Sequence, residues 1–68
     1  MTKIELGKLL NERREVLGLS IRDLADVSGL SKTTISQIEL GLGNPTFEVL
    51  QVICDLLNLE IKIEIKQK

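Results

Sequence analysis

The sequence contains no histidine, tryptophan or tyrosine, and only one residue each of cysteine, phenylalanine and proline. A single thiol cannot form an intramolecular disulfide, and without histidine it cannot complete a zinc site, which needs several protein ligands. The absence of histidine also removes the side chain most often used as a general acid or base. The composition therefore predicts no metal or cofactor site and argues against an enzyme.

Long hydrophobic runs are absent as well. No apolar run approaches the roughly 18 residues that a membrane-spanning helix requires, and residues 1–5 lack the apolar stretch of a signal peptide. The lone Cys54 agrees with a reducing compartment and is expected to be a small core residue. We therefore expect a cytoplasmic protein with no membrane partner.

Neither sign of charge dominates, since the net charge is −1. Nucleic-acid-binding domains usually carry a basic excess, so a DNA-binding surface here would depend on where individual cations lie. The 43% hydrophobic and 28% charged residues are typical of a folded domain. A chain of 68 residues has a limited core, so we expect oligomerisation to add stability.

Helix start and stop signals predict four helices. Thr2 and Ser20 begin capping boxes, and Ser31 and Thr46 are further N-caps. Glycines end the first three helices, because glycine readily adopts the left-handed conformation found at helix ends. The helices are predicted at about residues 3–17, 21–27, 32–40 and 47–58.

Helical spacing also predicts the core. The inward residues of the third helix are Ile35 and Ile38, and Phe47 is expected to fill the core at the start of the fourth. Further apolar residues at inward spacing are Leu6, Leu9, Leu10, Leu17, Leu24, Ala25 and Val27.

The end of the chain changes period. Residues 60–66 alternate between charged residues and isoleucine, which is the pattern of a β-strand. A single strand cannot satisfy its backbone hydrogen bonds, and no second strand is predicted in this chain. We therefore divide the chain into a helical domain, 1–58, and a dimerisation strand and tail, 59–68, that pairs antiparallel across a homodimer. The alternative is a frayed tail.

Charge selects the register of that pairing. Centring the two strands on Ile63 places Lys62 opposite Glu64, whereas centring on either charged residue pairs like charges. Burial of the isoleucines against the fourth helix would supply the affinity. The predicted dimer interface comprises Val52, Leu56, Ile61, Ile63 and Ile65.

Residues 20–40 have the pattern of a helix-turn-helix, two short helices joined by a tight turn at Gly29. The residues around and within this segment resemble the phage-repressor/Cro-type (XRE-type) helix-turn-helix family over about residues 4–59. Those that carry the resemblance are Arg14, Gly18, Leu19, Ser20, Leu24, Ala25, Gly29, Leu30, Ser31, Thr34, Ile35, Ser36, Ile38, Glu39, Gly41, Asn44, Pro45 and Thr46.

The resemblance implies a compact all-α domain that binds double-stranded DNA as a dimer, with the third helix in the major groove. Outward residues of that helix are then expected to read bases, namely Lys32, Thr33 and Gln37. Residues expected to contact or position the DNA backbone are Arg14, Ser31, Thr34, Ser36 and Asn44. The resemblance also implies a charged pair between Arg14 and Glu39. The alternative is that these side chains form only a solvated polar face.

Two features depart from the family pattern. Ile21 stands where many members have a phosphate-binding glutamine, and the loop after the third helix has Leu42 and Gly43 where basic residues are common. Few cationic contacts would make DNA binding weakly dependent on salt. Alternatively, Ile21 and Leu42 face a protein partner.

These observations predict a homodimeric transcriptional regulator, more a repressor than an activator, that binds a palindromic operator with half-sites about 10–10.5 base pairs apart. A stand-alone regulator, such as a restriction-modification controller, and an antitoxin that regulates its own operon and has a toxin as partner both fit. The alternative from another class is a protein-interaction module that has lost DNA binding.

Overall fold

The computed structural model describes residues 1–66 and contains four helices in that range. They are α1 (Lys3–Val16), α2 (Ile21–Ser28), α3 (Lys32–Glu39) and α4 (Phe47–Leu56). The predicted all-helical domain and its four helices are confirmed. The helix α4 ends before the predicted residue, because Asn58 adopts a left-handed conformation with φ of 58°. None of the helices in residues 1–66 is long and apolar enough to cross a membrane.

The predicted capping boxes begin α1 and α2. The Thr2 hydroxyl accepts a hydrogen bond from the Glu5 backbone N–H at 3.1 Å, and the Glu5 carboxylate accepts one from the Thr2 backbone N–H at 2.9 Å. Ser20 and Asp23 make the same two bonds, both at 2.9 Å. These bonds satisfy backbone donors that the helix itself leaves unpaired, so each helix starts at a defined residue.

The core lies where α3 packs against α1 and α2, and α4 packs against α2. Its buried apolar residues are Leu10, Leu24, Ile35, Ile38, Ile53, Cys54 and Leu57. The close contact between α1 and α3 occurs at Gly7, where a Cβ atom would lie 2.6 Å from the Ile38 carbonyl oxygen and closer still to that of Glu39. Only glycine fits this crossing.

Several predicted core positions are wrong. Phe47 is 59% exposed, because it is the first residue of α4 and lies at the edge of the packed layer; Val49, Leu50 and Ile53 make the core contacts instead. Further predicted core residues that are exposed are Leu9, Leu17 and Val27. Leu9 and Val27 lie on helix surfaces, and Leu17 lies beyond the last turn of α1.

The predicted C-terminal strand is not formed in the single chain. Leu59 is half-buried against the core and donates its N–H to the Cys54 carbonyl at 2.7 Å, but residues 60–66 have no regular secondary structure and are exposed. The physical reason is that a β-ladder needs a second strand, and residues 1–66 of one chain contain none. Pairing across a dimer therefore stays a prediction. Gln67 and Lys68, at the end of the predicted tail, lie outside the described residues.

Candidate nucleic-acid interface

The helix α3 separates buried apolar residues from exposed polar ones. Ile35 and Ile38 are 1% and 6% exposed, and they hold the helix against the core. On the other side, Lys32, Thr33 and Gln37 are exposed. These three predicted base-reading residues line one open cleft, together with Ser36 and with Ile21 of α2. We call this set of five residues the α3 face.

The start of α3 is fixed by two hydroxyl groups. Ser31 accepts a hydrogen bond from the Thr34 backbone N–H at 3.0 Å and donates its hydroxyl proton to the Thr34 hydroxyl oxygen at 2.8 Å. Both side chains thus define where the helix begins and where Lys32 and Thr33 lie relative to the core. Their predicted contacts with phosphate stay predictions.

The predicted charged pair between Arg14 and Glu39 is present and links α1 to α3. The Arg14 guanidinium makes two hydrogen bonds to the Glu39 carboxylate, at 2.8 Å from Nε and 2.9 Å from Nη2. A third bond runs from Arg14 Nη1 to the Leu19 carbonyl at 2.8 Å, and Asn11 donates to Glu39 at 2.7 Å. The pair ties the end of α1 to the end of α3, so Arg14 acts on the position of α3 from within the protein.

The electrostatics of the pair favour its charged form. Burial raises the pKa of Glu39, but hydrogen bonds from Arg14 and Asn11 outweigh burial and hold the pKa below its ordinary value. The hydrogen bond to Glu39 raises the pKa of Arg14. Arg14 is only 8% exposed, and its three hydrogen bonds within the protein give it a structural role. Its predicted contact with a phosphate stays a prediction.

The loop between α3 and α4 gains a cation from the other end of the chain. Lys3 Nζ, at the start of α1, donates hydrogen bonds to the Gly43 carbonyl at 2.7 Å and to the Asn44 side-chain oxygen. The loop is also tied to α3, because Leu42 N–H donates to the Gln37 carbonyl at 2.8 Å. Asn44 was predicted from the sequence as a DNA-backbone contact, whereas Lys3 was not, because it lies 40 positions from Gly43 and no local pattern links the two.

Arg13 is a second residue whose role the sequence did not reveal. Its Nε donates a hydrogen bond to the Leu57 carbonyl at 2.8 Å, which satisfies an acceptor at the end of α4. Cys54 is buried, as predicted, and burial raises the pKa of its thiol, so it is a poor nucleophile at neutral pH. Arg13 and Cys54 therefore have structural roles.

The predicted dimer residues are not gathered in one place in the single chain. Val52 and Leu56 of α4 are 40% and 39% exposed, and Ile63 and Ile65 are almost fully exposed. Ile61 instead lies beside an apolar cleft formed by residues of α1 and α4, among them Leu6, Leu9, Leu50 and Cys54. The assignment of all five residues to an interface stays a prediction.

The sequence model of the family described as Helix-turn-helix matches residues 10–63, which is most of the chain. A protein of Methanothermobacter thermautotrophicus, named provisionally as an HTH-type transcriptional regulatory protein, is 39% identical over 59 residues, covering 87% of this chain and 19% of the relative. An uncharacterized HTH-type transcriptional regulator of Mycobacterium tuberculosis is 35% identical over 57 residues, covering 84% of this chain and 41% of the relative. The chain thus spans less than half the length of these two relatives.

Among solved structures, the crystal structure of the restriction-modification controller protein C.AhdI from Aeromonas hydrophila superposes with a TM-score of 0.80. The two chains are 29% identical, and the match covers 85% of this chain and 88% of that one. The names of both relatives describe HTH-type regulators of transcription, and with the family match they point to a DNA-binding regulator and not to an enzyme. Together with the fold and the polar α3 face, these likenesses show that the chain belongs to the XRE-type helix-turn-helix family of DNA-binding transcriptional regulators.

Proposed function

We propose that this chain is a sequence-specific regulator of transcription that acts as a repressor. It binds a palindromic operator in the cytoplasm as a homodimer. The observation that carries the proposal is the α3 face, where exposed polar side chains project from a helix that buried isoleucines hold in place. An α-helix fits the major groove of B-DNA, where each base pair presents a distinct pattern of donors and acceptors.

The base-reading roles follow from the chemistry of three side chains. Lys32 can donate to guanine O6 and N7, and the Gln37 amide can pair with adenine N6 and N7. Thr33 can contact a thymine methyl group or a phosphate. Each good base contact contributes about 1–3 kcal/mol of discrimination, so the loss of two would remove most of the specificity.

The backbone contacts come from both sides of α3. The hydroxyl groups of Ser31, Thr34 and Ser36 lie at its start and along one edge. At its other end, Lys3 and Asn44 together offer phosphate an ammonium group and a side-chain amide. Lys3 therefore supplies the positive charge that the loop sequence lacks, and this supports DNA binding by a chain whose net charge is −1.

Dimer formation is proposed through the C-terminal residues. Pairing centred on Ile63 would satisfy the unpaired backbone groups of residues 60–66 and would cover isoleucines that are exposed in the single chain. The two α3 helices would then be related by a two-fold axis, which matches an operator with half-sites about 10–10.5 base pairs apart.

The kind of regulator is suggested by the structural likeness. The match to a restriction-modification controller, with a TM-score of 0.80, favours a regulator of that kind over an antitoxin with a toxin partner. The family match likewise favours DNA binding over a protein-interaction module.

Selection of bound sites from a random duplex pool at moderate salt tests the proposal. We expect an enriched palindrome with half-site centres about one helical turn apart. The double variant Lys32→Ala with Gln37→Ala should lose this enrichment but keep non-specific binding, whereas Gln51→Ala, which removes the same side-chain type from α4, should behave as the wild type. No enrichment over a no-protein control would refute sequence-specific binding.

A further inference from the structure

Ile21 is the one apolar member of the α3 face. It is the first residue of α2 and is half-buried, since one part of its side chain packs against the core while the remainder lines the cleft with Lys32, Thr33, Ser36 and Gln37. The other four residues of the cleft end in amine, hydroxyl or amide groups. An apolar group in this place is either core packing alone or part of the surface that meets DNA.

The position of Ile21 is tightly defined. The preceding residue, Ser20, caps α2 through two hydrogen bonds with Asp23, both 2.9 Å long. Isoleucine is β-branched, so its first side-chain torsion is strongly restricted in a helix. The exposed part of the side chain is therefore held at a defined place in the cleft that Lys32 also lines.

DNA offers one apolar partner in the major groove, the C5 methyl group of thymine. Resting on the proposed function, we propose that Ile21 contacts the methyl group of a thymine adjacent to the base pair that Lys32 reads. In this arrangement α2 contributes directly to sequence specificity. The residue that departs from the family pattern thus becomes a specificity determinant of this particular chain.

Replacement of thymine by deoxyuridine tests the contact, since it removes only the methyl group. The probe is the duplex enriched by the wild type, with each thymine of the half-site replaced in turn, symmetrically in both half-sites. For the wild type we expect one position at which the replacement weakens binding about four-fold per half-site, the value of one buried methyl group. The Ile21→Ala variant should show a much smaller loss at that position and unchanged losses elsewhere.

Val27→Ala is the matched control, because Val27 is an exposed apolar residue of the same helix that does not line the cleft. It should give the wild-type pattern. If circular dichroism shows that Ile21→Ala does not fold, Ile21→Val allows the same comparison, because it removes one methyl group and keeps the branched shape. Its loss of affinity on deoxyuridine replacement should be smaller than that of the wild type but not zero.

Two results would overturn the inference. One is that no thymine methyl group affects binding of the enriched duplex by the wild-type protein. The other is that substitution of Ile21 leaves the losses caused by deoxyuridine unchanged, as expected if Ile21 faces a protein partner. In both cases the enriched duplex still binds, so the proposed function stands. If the wild type enriches no duplex at all, the proposed function fails first.

Discussion

Replacing Arg14 by methionine should destabilise the domain severely, because it removes the main partner of a buried carboxylate. The side chains of Arg14 and Glu39 are only 10% and 7% exposed, and their closest nitrogen–oxygen distance is 2.8 Å. Methionine keeps a long apolar stem but donates no hydrogen bond. Among residues 1–66, Asn11 would be the only side chain still donating to Glu39.

The magnitude follows from burial. Removing one partner of a buried ion pair typically costs about 3–5 kcal/mol, and the Leu19 carbonyl also loses the bond from Arg14 Nη1. A domain of this size has a total stability of about 3–5 kcal/mol, so the variant should be largely unfolded at neutral pH. The double variant Arg14→Met with Glu39→Leu has no unpaired charge and should recover at least about 2 kcal/mol of the loss.

Urea unfolding followed by far-ultraviolet circular dichroism measures these free energies, since the chain has no tryptophan or tyrosine fluorescence. All variants should be compared at one protein concentration, because the proposed dimer would make stability depend on concentration. Glu12→Gln is a suitable control: Glu12 is an exposed carboxylate on the same helix, and its loss should shift stability by less than about 0.5 kcal/mol.

An Arg14→Met protein within about 1 kcal/mol of the wild type would contradict the reasoning, because the pair would then carry little of the stability that its burial implies. Additive effects of the two single substitutions would also contradict it. In that case the residues would not depend on each other, and some other contact would fix the end of α3.

The remaining predictions concern acid stability, packing, salt dependence and assembly. The pKa of Glu39 in the folded protein lies below its ordinary value of 4.5. The ionised carboxylate therefore stabilises the fold above pH 4.5, and this stabilisation is lost as the pH falls through the folded pKa. In acid titrations followed by circular dichroism, Glu39→Gln should lack this acid-induced loss of stability. Gly7→Ala should destabilise by about 1–3 kcal/mol in urea unfolding, because its Cβ would meet backbone atoms of α3 that cannot move aside, whereas Lys8→Ala should be nearly neutral. Lys3→Met should reduce the slope of log binding constant against log salt concentration by about one per half-site, whereas Lys8→Met should leave the slope unchanged. An unchanged slope for Lys3→Met would exclude Lys3 from the interface. Ile63→Lys should shift the protein from dimer to monomer in sedimentation, and a dimer that persists would disprove pairing through the tail.

Features encoded within a few residues were predictable from the sequence. The capping boxes at Thr2 and Ser20 each depend on a partner three positions later, so the starts of α1 and α2 could be assigned without knowledge of the fold. The inward direction of Ile35 and Ile38 followed from helical spacing, and this in turn placed the polar side of α3 on the surface. The pair between Arg14 and Glu39 was available only through resemblance to a family.

Features that depend on tertiary packing were not predictable. Spacing shows that a residue lies on the apolar side of a helix, but not whether another element covers it, and this is why Phe47 was placed in the core. Gly7 gave a weak signal, a glycine within a helix, whose meaning depends on the approach of α3. Lys3 and Arg13 act on residues about 40 positions away, and no local pattern indicates such contacts.

The C-terminal residues are a different case, because their alternating pattern predicts pairing between two chains, which a single chain cannot show. Alternation of isoleucine with charge gives no advantage to a solvated tail, in which Ile63 and Ile65 are 94% and 92% exposed. Each isoleucine would contribute about 1.5–3 kcal/mol if fully buried, and association itself costs about 4–15 kcal/mol. Strand pairing alone would therefore give a weak dimer, and a stable one requires that the strands also cover exposed apolar residues of the helices, such as Val52 and Leu56.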